Sequence, residues 1–243
     1  MKLYAALLIA GIAGFTLWMF SSLGTPALTS YPTVASSVAH TYDGSESIES
    51  LPLVMLYFVP KDKTPVYRER WLELADTAIT DLTRFHTGQF KDRSRIDSYV
   101  YPEPVIGHEE THTYDTDDTS DGNPSALRAI GDELDERIKP GGDLESLVSR
   151  FGDATPIFYI VYEGVGAAGA PGIVLINRKY LSDPEFALLR GSYVAHEFYH
   201  AIGVPDGYDR EDRSFTADLM GLGRNRPLEL NYLSAETLSH LGI

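Results

Sequence analysis

The chain has 243 residues, 43% of them hydrophobic, and its 35 acidic against 20 basic side chains give a formal net charge of -15. That length supports one sizeable core, and the acidic balance, with no Lys/Arg cluster, argues against a nucleic-acid partner, because phosphate binding needs a concentrated basic surface. Cysteine is absent, which rules out disulfides, thiolate ligands, a cysteine nucleophile and lipid attachment through an N-terminal Cys, and leaves His and carboxylates as the metal ligands available.

Taken in chain order, Leu3 to Phe20 is an uncharged apolar stretch after Lys2. Residues 1–20 therefore read as a signal peptide or a membrane anchor. Small residues at Ser22 and Gly24 fit cleavage, and the length of the apolar stretch fits a retained anchor. Lys2 stays cytoplasmic under the positive-inside rule, while the far flank carries Asp43, Glu46 and Glu49 and no Lys or Arg before Lys61. The remainder is expected to be extracytoplasmic, either held at the membrane or secreted. Residues 21–50, rich in Ser, Thr and Pro, read as a linker, and residues 51–243 as the folded domain.

Within that domain, Leu51–Val59 has the density of a buried strand. Val66–Phe85 places Trp71, Leu72, Leu74, Ala75, Ala78, Ile79 and Leu82 at helical spacing. Ser98–Tyr101 predicts a short strand, and the polar stretch Glu103–Pro124 an exposed excursion. Ser125–Ile138 reads as an amphipathic helix closed by Pro140 and Gly141. Pro156–Tyr162 and Gly172–Ile176 are expected strands around the small-residue segment Gly164–Gly172. A long helix is expected from near Asp183 or Pro184 to about Ile202, with Phe186, Leu188, Leu189, Tyr193 and Val194 as its apolar members.

That helix carries the chemistry. From His196 the chain reads HEFYHAIGVPDGYD. His196 and His200 stand one turn apart on one helix face, where both imidazoles can reach one ion. Glu197, beside the first of them, can reach a water at that ion without itself being a ligand. Gly203 can take positive φ and turn the chain out of the helix, bringing Asp206 towards the metal. Two imidazoles and one carboxylate leave a fourth position open, as in a catalytic zinc site. His108, Glu109 and His112 repeat the bare pattern, with Asp118 at the third-ligand spacing. That copy has hardly any apolar residue to bury a helix face and has Asp115 in place of the turn glycine, so a solvated loop is expected there. The acidic run Asp115–Asp121 is a candidate calcium site, but it lacks the EF-hand pattern and reads more simply as a solvated tract.

The stretch His196–Tyr208 resembles the extended zinc signature of the metzincin metallopeptidases. Pro205, Asp206 and Tyr208 are especially similar to snapalysin and the immune inhibitor A peptidases, which use Asp as third ligand. The resemblance implies an α+β, α/β-like fold: a twisted mixed sheet, a long active-site helix, a Met-turn at Ala217–Gly221 with Met220 beneath the histidines, and a C-terminal helix over Leu228–Leu241. It departs from the family at Tyr199, a position commonly Gly, and at Leu222, where some members have Tyr. Tyr208 is a candidate for stabilising an oxyanion, and equally for packing as an aromatic.

The activity implied is zinc-dependent hydrolysis of peptide bonds, with Glu197 as general base and then general acid. The substrate is expected to be a protein or peptide lying extended beside an edge strand flanked by Gly164–Gly172. The alternative is a non-catalytic metal-binding or adhesion module on the same scaffold, against which Glu197 argues, since metal binding alone does not need it. A zinc hydrolase of non-peptide substrates is the third class.

Overall fold

A computed structural model describes residues 48–91, 93–116, 122–207, 217–239 and 241. The apolar run at the start of the domain forms strand β1 (Ser50–Val59), in which every residue after Ser50 is buried. An uninterrupted apolar strand needs cover on both faces, and β1 has it. Leu53, Met55, Tyr57 and Val59 enter one core, while Val54, Leu56 and Phe58 enter another on the opposite side, following the two-residue period of a strand. Helix α1 (Trp71–Phe90) covers the first face. It runs further than the Val66–Phe85 expected, because Phe85, His86, Gln89 and Phe90 prolong its buried side; Arg68–Arg70 is a short 3-10 turn before it.

The remaining strands are β2 (Arg95–Val100), β3 (Val105–Ile106), β4 (Ile157–Tyr162), β5 (Ala167–Ala170) and β6 (Ile173–Asn177). The six-stranded sheet has the order β2-β1-β4-β6-β5, with β3 also paired to β1. All pairs are parallel except β5 with β6, so the sheet is mixed and the fold is of the mixed α/β class. The expected excursion Glu103–Pro124 contains β3 and helix α2 (Thr111–Tyr114), anchored by the buried Tyr114, whose hydroxyl donates to Glu133 at 2.5 Å. Helix α3 (Pro124–Ile138), capped by the Asn123 side chain at 3.1 Å from Ala126 N, covers the second face with Ala126, Leu127, Ile130 and Leu134. Short helices α4 (Ser146–Ser149) and α5 (Lys179–Ser182) follow.

Helix α6 (Arg190–Ala201) lies against α1, β5 and β6. It is shorter than expected. Pro184–Phe186 is a separate 3-10 turn and Leu188 is 78% exposed. The helical spacing of Phe186 and Tyr193 has another cause, a cluster in which both rings pack on Tyr180, at centroid distances of 4.8 and 4.7 Å. Near the C-terminus the expected single helix is a 3-10 turn at Leu228–Leu230 followed by helix α7 (Ala235–Ser239). Among the described residues no helix is long and apolar enough to cross a membrane. The segment Leu3–Phe20 lies outside them, as do Asp118 and Tyr208.

Candidate metal centre

The site is built on the last two turns of α6. His196 is fully buried and Glu197 is 8% exposed, on a helix whose other buried members include Val194, Phe198 and Tyr199. The helix is fixed from three sides. Tyr159 of β4 donates its hydroxyl to Val194 O at 3.0 Å. Ser192 bonds to the Arg226 carbonyl and accepts from Asn231 Nδ2 at 3.0 Å. Tyr199 donates its hydroxyl to His86 Nδ1 of α1 at 3.1 Å. In that last contact the Ser94 hydroxyl gives its proton to Ile48 O, so His86 Nε2 donates to Ser94 Oγ at 2.7 Å and Nδ1 is left as acceptor. Tyr199, the residue where related signatures commonly have Gly, is thus a buried tie between α6 and α1.

Gly203 ends the helix at φ +86°. Its N–H bonds to His200 O and the Val204 N–H to Tyr199 O, both at 3.0 Å, the paired bonds of a Schellman motif. The turn also places Val204 O 2.8 Å from His200 Nδ1. His196 Nδ1 makes the matching bond to Leu219 O at 3.0 Å. A carbonyl only accepts, so each Nδ1 carries the proton and each Nε2 presents its lone pair. These outer bonds are the kind that orient metal-ligating imidazoles.

His196, His200 and Asp206 meet at those Nε2 atoms and one carboxylate oxygen, all within 4.8 Å of one another. The two Nε2 atoms are 3.3 Å apart, and Asp206 Oδ1 is 3.3 Å from His196 Nε2 and 3.6 Å from His200 Nε2. Ligands about 2.05 Å from a tetrahedral zinc stand about 3.3 Å from one another. Two lone pairs and a carboxylate facing inward at that spacing fit a cation among them. The electrostatics agree in sign. Burial works to raise the Asp206 pKa, but when the two imidazoles are protonated their Nε2–H groups bond to Asp206 and outweigh that effect, holding the carboxyl well below the usual range. Burial works to lower His200, and Asp206 lifts it above the ordinary imidazole value. Burial raises the pKa of Glu197, and electrostatic attraction towards His196, His200 and Arg224 opposes the rise.

Met220 is fully buried, in the same core as Val194, Phe198 and Tyr199 of α6. Its carbonyl accepts from Gly207 N at 2.9 Å, tying the chain just after Asp206 to the Ala217–Gly221 turn. Asp218 shapes that turn: its Oδ1 accepts from Met220 N at 3.1 Å and its Oδ2 from Thr237 Oγ1 of α7 at 2.8 Å.

Three neighbours were not anticipated. The segment Gly164–Gly172, expected as a loop, contains β5, the sheet's edge strand, and it passes so close to α6 that a Cβ on Gly169 would lie 2.5 Å from His200 Cβ. Arg224 Nη1 stands 3.3 Å from His196 Nε2. Tyr180, half-buried, has a hydroxyl within electrostatic reach of Glu197 and Arg224, and burial raises its pKa. The repeat pattern at His108, Glu109 and His112 is exposed, and His196, His200 and Asp206 form the one such ligand group among the described residues. Asp115, from the acidic run, accepts from Asn123 Nδ2 at 2.7 Å and from the Tyr162 hydroxyl at 3.1 Å.

No family model and no curated protein matches the chain. Among solved structures, archaemetzincin from Methanopyrus kandleri is similar over 78% of this chain and 94% of its own, at 13% identity and a TM-score of 0.39. OgpA from Akkermansia muciniphila, in complex with an O-glycopeptide substrate, is similar over 87% of this chain and 63% of its own, at 15% identity and a TM-score of 0.49. Metalloproteinase-II from Bacteroides fragilis is similar over 86% of this chain and 57% of its own, at 14% identity and a TM-score of 0.41. At such identities and TM-scores the likeness leaves the activity open.

Proposed function

We propose that the protein is a zinc-dependent endopeptidase of the metzincin kind, of the subtype with Asp as third ligand, in which His196, His200 and Asp206 hold the ion and Glu197 moves the proton. The observation that carries this is the donor set: two Nε2 atoms 3.3 Å apart beside a carboxylate oxygen, each imidazole held through its Nδ1. Zinc bound there would supply Lewis-acid polarisation of a carbonyl and a water acidified to a pKa of about 7. Glu197 takes the proton of the attacking water and returns it to the leaving amine. Its burial strengthens the carboxylate as a base by raising its pKa.

The peptide lies extended beside β5, whose Gly169 lets the strand run directly over the helix bearing His200. Residues 1–20 deliver the domain to the outer face of the membrane or export it. The test is hydrolysis of casein and of an internally quenched peptide by wild type and Glu197→Ala, with and without chelator. Wild type is expected to cleave, the chelator to abolish cleavage, and the variant to lose about 100- to 10,000-fold while keeping its zinc. A zinc-loaded wild type that cleaves no peptide would contradict the proposal.

A further inference from the structure

His196 and His200 each donate an Nδ1 proton to a backbone carbonyl, Leu219 O at 3.0 Å and Val204 O at 2.8 Å. The two carbonyls differ in what lies behind them. A carbonyl oxygen and the N–H of the next residue belong to one planar trans peptide group and point in opposite directions. Behind Leu219 O is the Met220 N–H, which donates to Asp218 Oδ1 at 3.1 Å. Behind Val204 O is Pro205, which has no N–H to give. Carboxylate and imidazole therefore hold the Leu219–Met220 peptide group from its two edges, an arrangement that His200 cannot share.

The carboxylate is itself fixed. Its Oδ2 accepts from Thr237 Oγ1 at 2.8 Å, and Thr237, buried in α7, accepts in turn from Ser234 Oγ at 3.0 Å. The backbone around it is pinned as well. Leu219 N donates to Tyr232 O at 2.9 Å and Tyr232 N to Ala217 O at 3.1 Å, while Asp218 O accepts from Gly221 N and Gly223 N at 3.0 and 2.9 Å. One side chain thus accepts from two donors that belong to different segments. Aspartate meets that demand with both oxygens, whereas an Asn amide would turn a donor towards one of them.

We propose that Asp218 is a positioning residue for His196, acting through the Leu219–Met220 peptide group; the inference rests on the reading of His196 as a metal ligand. A carboxylate bonds an N–H more strongly than a neutral acceptor does. Its pull on the Met220 N–H polarises the amide, so Leu219 O becomes the better acceptor for His196 Nδ1–H. That bond fixes the plane of the ring and makes Nε2 the stronger donor of its lone pair. Metal-ligating imidazoles are commonly held by a carboxylate directly; here one peptide group relays the effect. Through Thr237, helix α7 then bears on how firmly His196 is held, although it contributes no ligand itself.

The test compares the full-length wild type with Asp218→Ala, Asp218→Asn, Thr237→Val and Thr237→Ser. Zinc Kd is read by chelator competition, the fold by circular dichroism, and the imidazole Nδ1–H resonances by NMR of the zinc-saturated protein with isotope-labelled histidine. Asp218→Ala is expected to weaken zinc by about 10- to 100-fold with the fold retained, and to move the His196 resonance while that of His200 stays in place. Asp218→Asn, which can keep the bond from Met220 N without the charge, should shift both readouts less and in the same direction. Thr237→Val should weaken zinc less than Asp218→Ala does, and Thr237→Ser, which keeps the hydroxyl, should restore the affinity. A folded Asp218→Ala with unchanged zinc Kd overturns the proposal; if that variant does not fold, an unchanged Kd in folded Asp218→Asn does so. Equal displacement of the His196 and His200 resonances also overturns it, because a general loosening of the turn would move both. Wild type that binds no zinc overturns the ligand assignment itself, and this proposal with it.

Discussion

The tie between α1 and the helix that carries His196 and His200 has a pH signature. His86 is fully buried, bonded to Tyr199 and Ser94 and stacked on Phe90 at 4.4 Å, and desolvation pulls its pKa down to about 3 from an ordinary 6.5. The neutral form is favoured in the folded state, whereas the unfolded chain takes up a proton below about pH 6.5. His86 therefore costs no stability above that pH and an increasing amount as pH falls from about 6.5 towards 3. At pH 5 the unfolded imidazole is protonated by a factor of about 30, which amounts to roughly 2 kcal/mol of stability lost relative to pH 8.

Urea unfolding of wild type and His86→Gln at pH 8, 7, 6 and 5, followed by circular dichroism, measures the effect. The variant should be the less stable of the two at pH 8, because the bonds to Tyr199 and Ser94 are disturbed. Its stability should fall by about 2 kcal/mol less than that of wild type between pH 8 and pH 5. All other titrating groups are common to both proteins, so the difference in slope belongs to His86. Parallel pH profiles would refute the reasoning.

Two further substitutions test the frame of the site. Gly203→Ala forces a Cβ onto a residue at φ +86° and should cost about 1–2 kcal/mol of stability by urea titration; by displacing Val204 O from His200 Nδ1 it should also weaken zinc binding in a chelator competition, and an unshifted zinc affinity would count against an orienting role for that bond. Met220→Ala opens a cavity in the core that α6 packs on and should cost about 2–5 kcal/mol, whereas Met220→Leu should stay within about 1.5 kcal/mol; equal losses for both would mean that Met220 does not act as packing.

The residues that meet in space are legible where their spacing along one helix sets the geometry. His196 and His200 share a face because they are four apart, and Gly203 turns the chain because positive φ is open to it, so Asp206 arrives beside them. β1 is legible for a similar reason: a strand covered on both faces is apolar throughout. The partners of the imidazole Nδ1 atoms are not, because Leu219 O and Val204 O are backbone atoms that any residue would supply. Arg224 and Tyr180 come from separate segments and carry no motif. β5 is hidden by its composition, since Ala167–Ala170 has no apolar periodicity, and small residues are what the close approach to His200 demands. The start of α6 was obscured because an aromatic cluster imitates helical spacing across a break.

The most direct test of the account is zinc stoichiometry after exhaustive dialysis, compared among wild type, His200→Ala and Asp206→Ala. The site described here predicts about one zinc per wild-type chain, almost none in His200→Ala and a markedly weakened ion in Asp206→Ala. Full zinc occupancy in His200→Ala, or a wild type that holds none, would contradict it.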